Sequence, residues 1–403
     1  MEQPTTNNQS NNYTTTSTTT STMAISKQRP TTSIAIATAT ATSNTTTYHG
    51  TMAEQPLLVD AHVHLFPTSE LGTITWVHPG HPLYARHSVT EYLAASSSSR
   101  SPHGFIFVEV DRKQDLTPVS GWEFPLLEIA WLARIALGTP NPDEGHEPGH
   151  RSLVLGIVPW APVPAGAESL ADYIGNARER AGDSWELVKG FRYLLQDKPR
   201  GVMLEEGFIE GLKWLGVKGF RFDLGIDQRS GGTWQLEDAA RMLKMAYEGV
   251  TNEKKVIVII DHLCKPNLHI PTNEATKHPD FLAWKDHIQT LASFSTTYMK
   301  LSGLFSELPA QDPSKPIPVA QVVAQVRPWV DTAFDAFGSG RIIFGSDWPV
   351  CNIGGGGGQK AWKGWRDVVE QLLDEIELSE KEKLGVWGGN ALMAYGISGE
   401  PRN

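Results

Sequence analysis

Hydrophobic and polar residues alternate along the chain in a repeating order that begins at residue 57. Short apolar runs are followed by longer segments whose apolar residues recur at helical spacing. This order is typical of strand and helix units built around a parallel sheet. The runs predict eight strands, over residues 57–64, 104–110, 152–160, 188–196, 217–225, 255–263, 297–304 and 340–348. Because eight strands close a (β/α)8 barrel, we expect an α/β TIM barrel that forms a single domain.

The segments between the predicted strands carry the signals of outer-ring helices. Residues 120–138 have apolar residues at helical spacing and end at Gly138, a residue that favours helix termination. Residues 234–250 and 319–338 show the same periodicity. The connection over residues 139–151 is rich in proline, glycine and charged residues, so we expect a surface insertion there.

The beginning of the chain has a different composition. Thr, Ser, Asn and Ala dominate residues 5–47, and so few large apolar residues cannot offset the entropy lost on ordering. We therefore predict a disordered tail over residues 1–53 and a barrel domain over residues 54–403. The stretch that begins at Met52 resembles a natural start, so an upstream start codon would explain part of the tail. The segment lacks the continuous apolar core of a secretory signal, and a mitochondrial address stays an alternative.

Charge and cysteine content narrow the class of partner. The formal net charge of −10 argues against nucleic acid or an anionic membrane surface, since both attract a basic face. No apolar run approaches the roughly 20 residues that span a bilayer. Cys264 and Cys351 are too few for a disulfide framework, which favours a reducing compartment such as the cytoplasm. A small-molecule partner is expected, and the sequence gives no indication of the oligomeric state.

Polar residues stand near the ends of all the predicted strands. They are His62 and His64, Glu109, Trp160, Arg192 and Gln196, Arg221 and Asp223, Asp261 and His262, Lys300 and Ser302, and Asp347. In a closed barrel the chemistry gathers at the carboxyl ends of the strands, where the loops to the helices leave. The pattern therefore predicts an active-site mouth at this end of the barrel.

The first strand brings two histidines to this mouth. His62 and His64 are two residues apart, so both side chains can point to the same face of a strand. Barrel closure makes the eighth strand a neighbour of the first, which places Asp347 beside them, and His262 follows the sixth strand. These residues are a reasonable ligand set for one Zn²⁺ with a position left open for water. The alternatives are a capping role for Asp347 and a structural core role for His262.

Four motifs resemble those of a known family. They are "VDAHVHLF" at the first predicted strand, "GFRYLLQD" at the fourth, "IIDHLCKP" at the sixth, and "KLSGL" with "IIFGSDWPVC" at the seventh and eighth. The chain resembles the amidohydrolase superfamily, in particular the amidohydrolase-2 branch with its L-rhamnono-γ-lactonase and L-fuconolactonase group. The resemblance runs from about Leu57 to Ile397. It implies a hydrolase that opens a sugar-derived aldonolactone to the aldonic acid.

The resemblance also implies roles for individual residues. His62 and His64 resemble the metal-binding pair, Asp347 the aspartate that transfers the proton and contacts the metal, and His262 the histidine of the sixth strand, either a metal ligand or a group that polarises the carbonyl. Arg192 and Gln196 resemble residues that face the substrate. Some members of the family act without metal, so a metal-independent mechanism stays open.

Other positions leave open more than one interpretation. Trp160 and Trp348 are predicted to stack on a sugar ring, with core packing as the alternative. Arg192 would bind substrate or bridge barrel strands. Tyr193 stands where many relatives have histidine, and the glycine run at 354–358 is longer than in the family, which leaves the substrate open.

Two further functions remain alternatives. Metal-dependent decarboxylases of aromatic or muconate-type acids resemble the same superfamily, and a barrel without catalysis would serve as a binding protein. The "KLSGL" and "SDWPVC" motifs favour the lactonase over the decarboxylase.

Overall fold

Eight parallel strands form the centre of the computed structural model, which describes residues 57–97 and 101–398. They are β1 (Val59–Val63), β2 (Gly104–Val108), β3 (Val154–Val158), β4 (Gly190–Arg192), β5 (Arg221–Leu224), β6 (Ile257–Ile260), β7 (Thr297–Leu301) and β8 (Ile342–Phe344). Each lies within one of the predicted strands, so the alternation of the sequence identified the whole set. The predicted disorder of residues 1–53 lies outside the described residues.

The strands close into a barrel through two seams. Hydrogen bonds join the strands into two parallel sheets, one with the order β1-β2-β3 and one with the order β4-β5-β6-β7-β8. Between β3 and β4, Ile157 pairs with Val188, and between β8 and β1, Val63 pairs with Trp348. The second seam is reinforced by the His64 amide, which donates to the Trp348 carbonyl over 2.8 Å. The predicted (β/α)8 barrel is therefore the observed architecture.

Helices surround the barrel. They are α1 (Val89–Ser96), α2 (Glu123–Leu137), α3 (Gly166–Ala181), α4 (Glu206–Lys218), α5 (Gln228–Gly231), α6 (Trp234–Tyr247), α7 (Thr272–Ala275), α8 (Pro279–Ala292), α9 (Val319–Phe337), α10 (Cys351–Gly354), α11 (Gly358–Glu375), α12 (Glu380–Leu384) and α13 (Asn390–Tyr395). The helices predicted over residues 120–138, 234–250 and 319–338 correspond to α2, α6 and α9. Gly138 ends α2 with a φ of 69°, a left-handed conformation that suits glycine.

The connection after α2 is mostly exposed, as expected of an insertion, but it is anchored by two buried side chains. Glu144 forms an ion pair with Arg134 of α2, and it lies 3.2 Å from His146. The insertion is therefore fixed to the outer ring at these points.

A bulge in β1 directs alternate side chains to different surroundings. The pairing of β1 with β2 shifts register between Asp60 and Val63. Two residues apart on a regular strand, Asp60 and His62 would point to one face. Instead Asp60 reaches the outer helices, while His62 contacts Lys300 inside the barrel. The bulge thus aims the first histidine into the barrel, in agreement with the frequent placement of bulges beside active sites.

The last helix packs into the barrel interior near the starts of the strands. Ala391, Ala394 and Tyr395 of α13 belong to one apolar cluster with Val59 and other strand residues. The Tyr395 hydroxyl donates to both carboxylate oxygens of Asp223, over 2.9 and 2.7 Å.

Within the described residues, no helix combines the length and apolarity needed to cross a bilayer.

Candidate active site

Three imidazoles converge on one carboxylate at the strand ends. The Nε2 atoms of His62 and His64 lie 3.1 Å apart. Oδ1 of Asp347 is 3.7 Å from His62 Nε2, 3.3 Å from His64 Nε2 and 3.8 Å from His262 Nε2. All four side chains are buried. The structure thus brings together the four residues that the sequence selected for the metal and the proton transfer.

In His64 and His262, the contact made by Nδ1 determines which way the ring faces. Nδ1 of His64 lies 2.8 Å from the Val108 carbonyl, so it carries a proton and donates to that oxygen. Nδ1 of His262 lies 2.8 Å from Oγ of Ser302. With Nδ1 occupied, Nε2 of each ring points towards Asp347. This is the arrangement in which a protein orients histidines that bind a metal.

His62 has two neighbours at Nδ1, and they favour different proton positions. Lys300 Nζ lies 3.0 Å away, and a carboxylate oxygen of Asp261 lies 3.3 Å away. If Lys300 donates, Nε2 of His62 carries the proton and donates to Nε2 of His64, which completes a metal-free chain of hydrogen bonds. If His62 donates to Asp261, its Nε2 has a free lone pair for a metal. The contacts accommodate both arrangements.

Burial keeps His62 and His262 neutral. It lowers the pKa of His62 well below its usual value, with help from the charge of Lys300, and it lowers the pKa of His262 to about 4. Burial opposes the charge of Asp347 as well, but the neighbouring imidazoles of His262 and His64 lower the pKa of this carboxyl overall. At neutral pH, His62, His262 and Asp347 therefore present two uncharged rings with lone pairs and a carboxylate, which suits a cation or a proton relay.

A left-handed turn carries His262 to this position. Residues 262–265 have φ values of 53°, 52°, 60° and 47°, although none of them is glycine. The turn is held by the Lys265 amide, which donates to the His262 carbonyl over 2.8 Å, and by the indole of Trp284, which donates to the Leu263 carbonyl over 2.8 Å. Such conformations are costly for side-chain-bearing residues and are found mainly at functional sites.

Two glycines make room for the imidazoles. Gly303 has a φ of 66°, and a Cβ built on it would lie 2.4 Å from Nδ1 of His262. A Cβ on Gly345 would lie 2.9 Å from the Cβ of His62. The glycine after Ser302 in "KLSGL" and the one in "IIFGSDWPVC" are therefore required by close approach of the rings.

Beneath the three imidazoles, the barrel interior holds a buried ionic network. Lys300 Nζ lies 2.6 Å from Asp223 and 3.1 Å from Asp261, and all three side chains are inaccessible to solvent. Asp223, Asp261 and His62 are close enough together to form a second candidate metal set. Because the Lys300 cation already pairs with both carboxylates, part of their negative charge is offset without a metal. The set formed by His62, His262 and Asp347 is the better candidate.

Arg192 bridges strands and also lines the cavity above the site. Its Nε donates to a carboxylate oxygen of Glu109 over 2.7 Å, and its Nη2 donates to the Glu109 carbonyl over 2.6 Å. Nη1 lies 3.5 Å from Asp261. The two roles weighed for this residue, a bridge between strands and a contact for substrate, are therefore compatible.

The cavity has a volume of about 470 Å³, within the roughly 300–1,000 Å³ typical of small-molecule sites. His64, Arg192, Gln196, His262 and Asp347 line it, which agrees with their predicted positions. His62 lies behind this wall. The lining also includes residues that the sequence reasoning missed or set aside, namely Thr75, Trp76, Asp111 and Lys265.

The two predicted stacking tryptophans lie elsewhere. Trp160 and Trp348 are 1% and 2% exposed and do not belong to the cavity lining. Trp160 packs edge-on against Tyr173, and Trp348 packs edge-on against Tyr92. Both indoles point into the packed layer between strands and helices, so core packing replaces the predicted contact with a sugar ring. Trp76, in the loop after β1, is the tryptophan that lines the cavity.

Asp60 is a further residue that the sequence reasoning missed. Its carboxylate accepts hydrogen bonds from the Ser346 amide over 2.8 Å, the Trp362 indole over 2.8 Å and the Tyr92 hydroxyl over 3.0 Å. It thereby ties β1 to the loop after β8, which carries Asp347. The available signal was a charged residue inside an apolar strand, a position that requires buried partners.

The chain is similar to a known family, to characterised proteins in sequence and to solved structures in fold. Residues 232–397 match a family model described as amidohydrolase. The chain is 36% identical to the L-rhamnono-gamma-lactonase of Scheffersomyces stipitis over 344 residues, covering 84% of this chain and 98% of that protein. It is 25% identical to an L-fucono-1,5-lactonase of Burkholderia multivorans over 346 residues, covering 85% and 96%. The crystal structure of an amidohydrolase from Burkholderia multivorans with bound zinc has a TM-score of 0.61, 23% identity, and coverage of 85% of this chain and 100% of that one.

Proposed function

Because the chain belongs to the amidohydrolase family, we propose that it is an enzyme that hydrolyses a sugar-derived aldonolactone to the aldonic acid. The observation that carries this proposal is the convergence of three imidazole nitrogens on Asp347 at the wall of a small-molecule cavity. The similarity to an L-rhamnono-gamma-lactonase over almost its full length supports a lactone of the L-rhamnono-γ or L-fucono type.

Asp347 is the proton carrier in this proposal. Its carboxylate is ionised at neutral pH, because the adjacent imidazoles lower its pKa despite burial. It accepts a proton from the attacking water and returns that proton to the ring oxygen when the ester bond breaks. Arg192 lines the same cavity and supplies positive charge where the carbonyl oxygen becomes negative. His262 either binds a metal or polarises this carbonyl.

The donor set fits a divalent cation. His62, His262 and Asp347 each offer a ligand atom within 4.8 Å of the others, with His64 adjacent. Two or three imidazoles and a carboxylate form a set that Zn²⁺ accepts, so we propose Zn²⁺ as the resident ion. When bound, such an ion polarises a carbonyl group and lowers the pKa of a bound water.

The remaining parts of the proposal concern organisation and compartment. We propose that one catalytic domain lies within residues 54–403. Gln196 and Arg192 contact the substrate. A reducing compartment such as the cytoplasm suits the chain, since Cys264 and Cys351 are both buried and unpaired. Participation in carbohydrate catabolism follows from the proposed substrate.

The test is an acid-release assay with the purified full-length chain and a set of aldonolactones. We expect turnover of at least one lactone above its spontaneous hydrolysis, and metal analysis should find about one Zn²⁺ per chain. Asp347→Asn should reduce turnover by at least about a thousandfold with the melting temperature nearly unchanged.

Two outcomes would contradict parts of the proposal. Absence of acid release from every lactone would reject the hydrolase, and carbon dioxide release from an aromatic acid would then favour the decarboxylase. Full turnover by protein shown to be metal-free would reject the role of Zn²⁺ and leave Arg192 and His262 to polarise the carbonyl.

A further inference from the structure

We propose that Trp76 and two polar pairs, Thr75 with Asp111 and Gln196 with Lys265, form the surface that recognises the sugar ring. The apolar face of the ring lies on the indole, and the ring hydroxyls bind the two pairs. The substrate class is a neutral, polyhydroxylated lactone. This inference rests on the proposed function and specifies how the same cavity selects its substrate.

The indole of Trp76 is held in place as part of the cavity wall. Its Nε1 donates to the Val110 carbonyl over 2.8 Å, which satisfies its polar atom and fixes the orientation of the ring. The imidazole of His81 packs edge-on against it, with ring centroids 5.6 Å apart. The side chain is only partly buried, although most tryptophans of the chain are fully buried. Its remaining surface is therefore available to a ligand in the cavity.

One segment of the chain, residues 108–110, holds both the indole and the imidazole of His64. The Val108 carbonyl accepts from His64, and the Val110 carbonyl accepts from Trp76. His64 and Trp76 both line the same cavity. A lactone whose carbonyl is near the imidazoles would thus place its ring beside the indole.

The first polar pair stands next to the indole. The Thr75 hydroxyl donates to the carboxylate of Asp111 over 2.5 Å and lies 2.9 Å from the Asp111 carbonyl oxygen. Asp111 has a φ of 55°, so its backbone is in the left-handed region at the cavity wall. A carboxylate with one oxygen engaged in this way can accept a hydrogen bond from a ring hydroxyl at its other oxygen.

The second pair comes from the loops after β4 and β6. Lys265 Nζ donates to Oε1 of Gln196 over 2.8 Å, and Lys265 belongs to the left-handed turn that also carries His262. The amide nitrogen of Gln196 and the remaining protons of the lysine are donors for hydroxyl oxygens. Together the two pairs present acceptors and donors, as a polyol requires.

The charges of the cavity favour a neutral ligand. Its lining includes four carboxyl groups and two cationic side chains: Asp111, Asp197, Asp261 and Asp347, with Arg192 and Lys265. Two of the carboxyl groups, Asp111 and Asp197, interact electrostatically with each other, and neither belongs to a candidate metal set. An aromatic acid or a dicarboxylate would bring further negative charge to this surface, which costs free energy. A neutral lactone avoids that repulsion.

The experiment compares Trp76→Ala, Trp76→Phe and the control Trp214→Phe in the full chain. Trp214 lies on α4 and is outside the cavity lining. With L-rhamnono-γ-lactone, we expect Trp76→Ala to raise KM about tenfold with kcat within about threefold, and Trp76→Phe to keep most of the affinity. The same lactone should quench indole fluorescence in the native chain and in Trp214→Phe, but not in either Trp76 variant.

The hydroxyl contacts are tested by Asp111→Asn and Lys265→Met, each of which should raise KM about fivefold or more. The charged probe 2,6-dihydroxybenzoate should cause no quenching dependent on Trp76. Quenching by the lactone without acid release would support this inference while rejecting the proposed hydrolysis. A KM within twofold of native for Trp76→Ala, or equal quenching in the native chain and the Trp76 variants, would overturn the inference.

Discussion

The partner of Nδ1 determines which tautomers His64 and His262 can adopt. His64 is fixed by a backbone carbonyl, which only accepts, whereas His262 is fixed by the Ser302 hydroxyl, which can donate or accept. His64 is therefore restricted to one tautomer, and His262 can switch. A ring that can change its proton position suits the residue expected either to bind a metal or to polarise a carbonyl.

Replacement of Ser302 by alanine tests this orientation. We expect Ser302→Ala to lower kcat/KM or metal affinity about 10–100-fold, because the His262 ring loses its partner. The fold should be retained. Ser306→Ala is the matched control, since the Ser306 hydroxyl donates to the Gly303 carbonyl in the same loop without contacting the ring. Equal effects in steady-state assays of the two variants would contradict a specific role for Ser302.

Gly303 provides a test of steric fit. In Gly303→Ala the new Cβ would meet the His262 ring, and the left-handed φ would add about 1 kcal/mol of strain. The control is Gly219→Ala, at a glycine in the same left-handed region, with a φ of 80° and no atom within 4 Å of the new Cβ. Urea unfolding should show a loss of about 1 kcal/mol for the control and a larger loss for Gly303→Ala. Only Gly303→Ala should also lose activity, and full activity in it would refute the close approach.

Among the elements, α13 has the most specific connection to the buried charges. The Tyr395 hydroxyl donates to Asp223, which in turn binds Lys300. Tyr395→Phe removes this donor from a buried carboxylate, so we expect a loss of about 1–3 kcal/mol in the free energy of unfolding. KM should stay near its native value, because α13 lies outside the cavity lining. Denaturant titration measures the free energy of unfolding, and steady-state kinetics measure KM. An unchanged free energy of unfolding would contradict the contribution of this hydroxyl.

The helices and strands were predictable from the sequence because each kind of element buries apolar residues at its own spacing along the chain. Apolar runs identified all eight strands, and closure of the barrel then predicted that Asp347 would meet His62 and His64. The bulge in β1 was not predictable, since it depends on the pairing of β1 with β2 rather than on any residue of the "VDAHVHLF" motif.

The direction of aromatic side chains at strand ends was equally inaccessible. Trp160 and Trp348 lie in the loops that follow β3 and β8 rather than at the ends of these strands, and a difference of one position decides whether an indole faces the cavity or the helices. Trp76 lies in an irregular loop, where no periodicity marks its surroundings.

For the whole molecule, the buried histidines make stability depend on pH. Burial holds the pKa of His262 at about 4 and that of His62 well below its usual value, while in the unfolded chain both have the ordinary imidazole pKa of about 6.5. The unfolded state therefore binds more protons in mildly acidic solution. Stability should be fully present above about pH 6.5 and should fall as the pH is lowered towards 4.

Thermal unfolding of the full chain between pH 7.5 and 4.5 measures this effect. We expect the melting temperature to fall with acidification, and a bound metal should be released over the same range because its ligands must be deprotonated. His62→Asn with His262→Asn should flatten the profile in this range. A native melting temperature independent of pH would contradict the buried neutral state of these rings.

The left-handed turn at residues 262–265 has a consequence for the order of events in folding. A chain segment on its own avoids this handedness, at a cost of roughly 1–2 kcal/mol for each residue. The turn is maintained by contacts from distant parts of the sequence, including the Trp284 indole. His262 and Lys265 therefore reach the cavity only after the surrounding barrel has assembled. A full-length but partly folded chain would contain every residue of the site and yet have no site, so that binding competence itself reports completion of the fold.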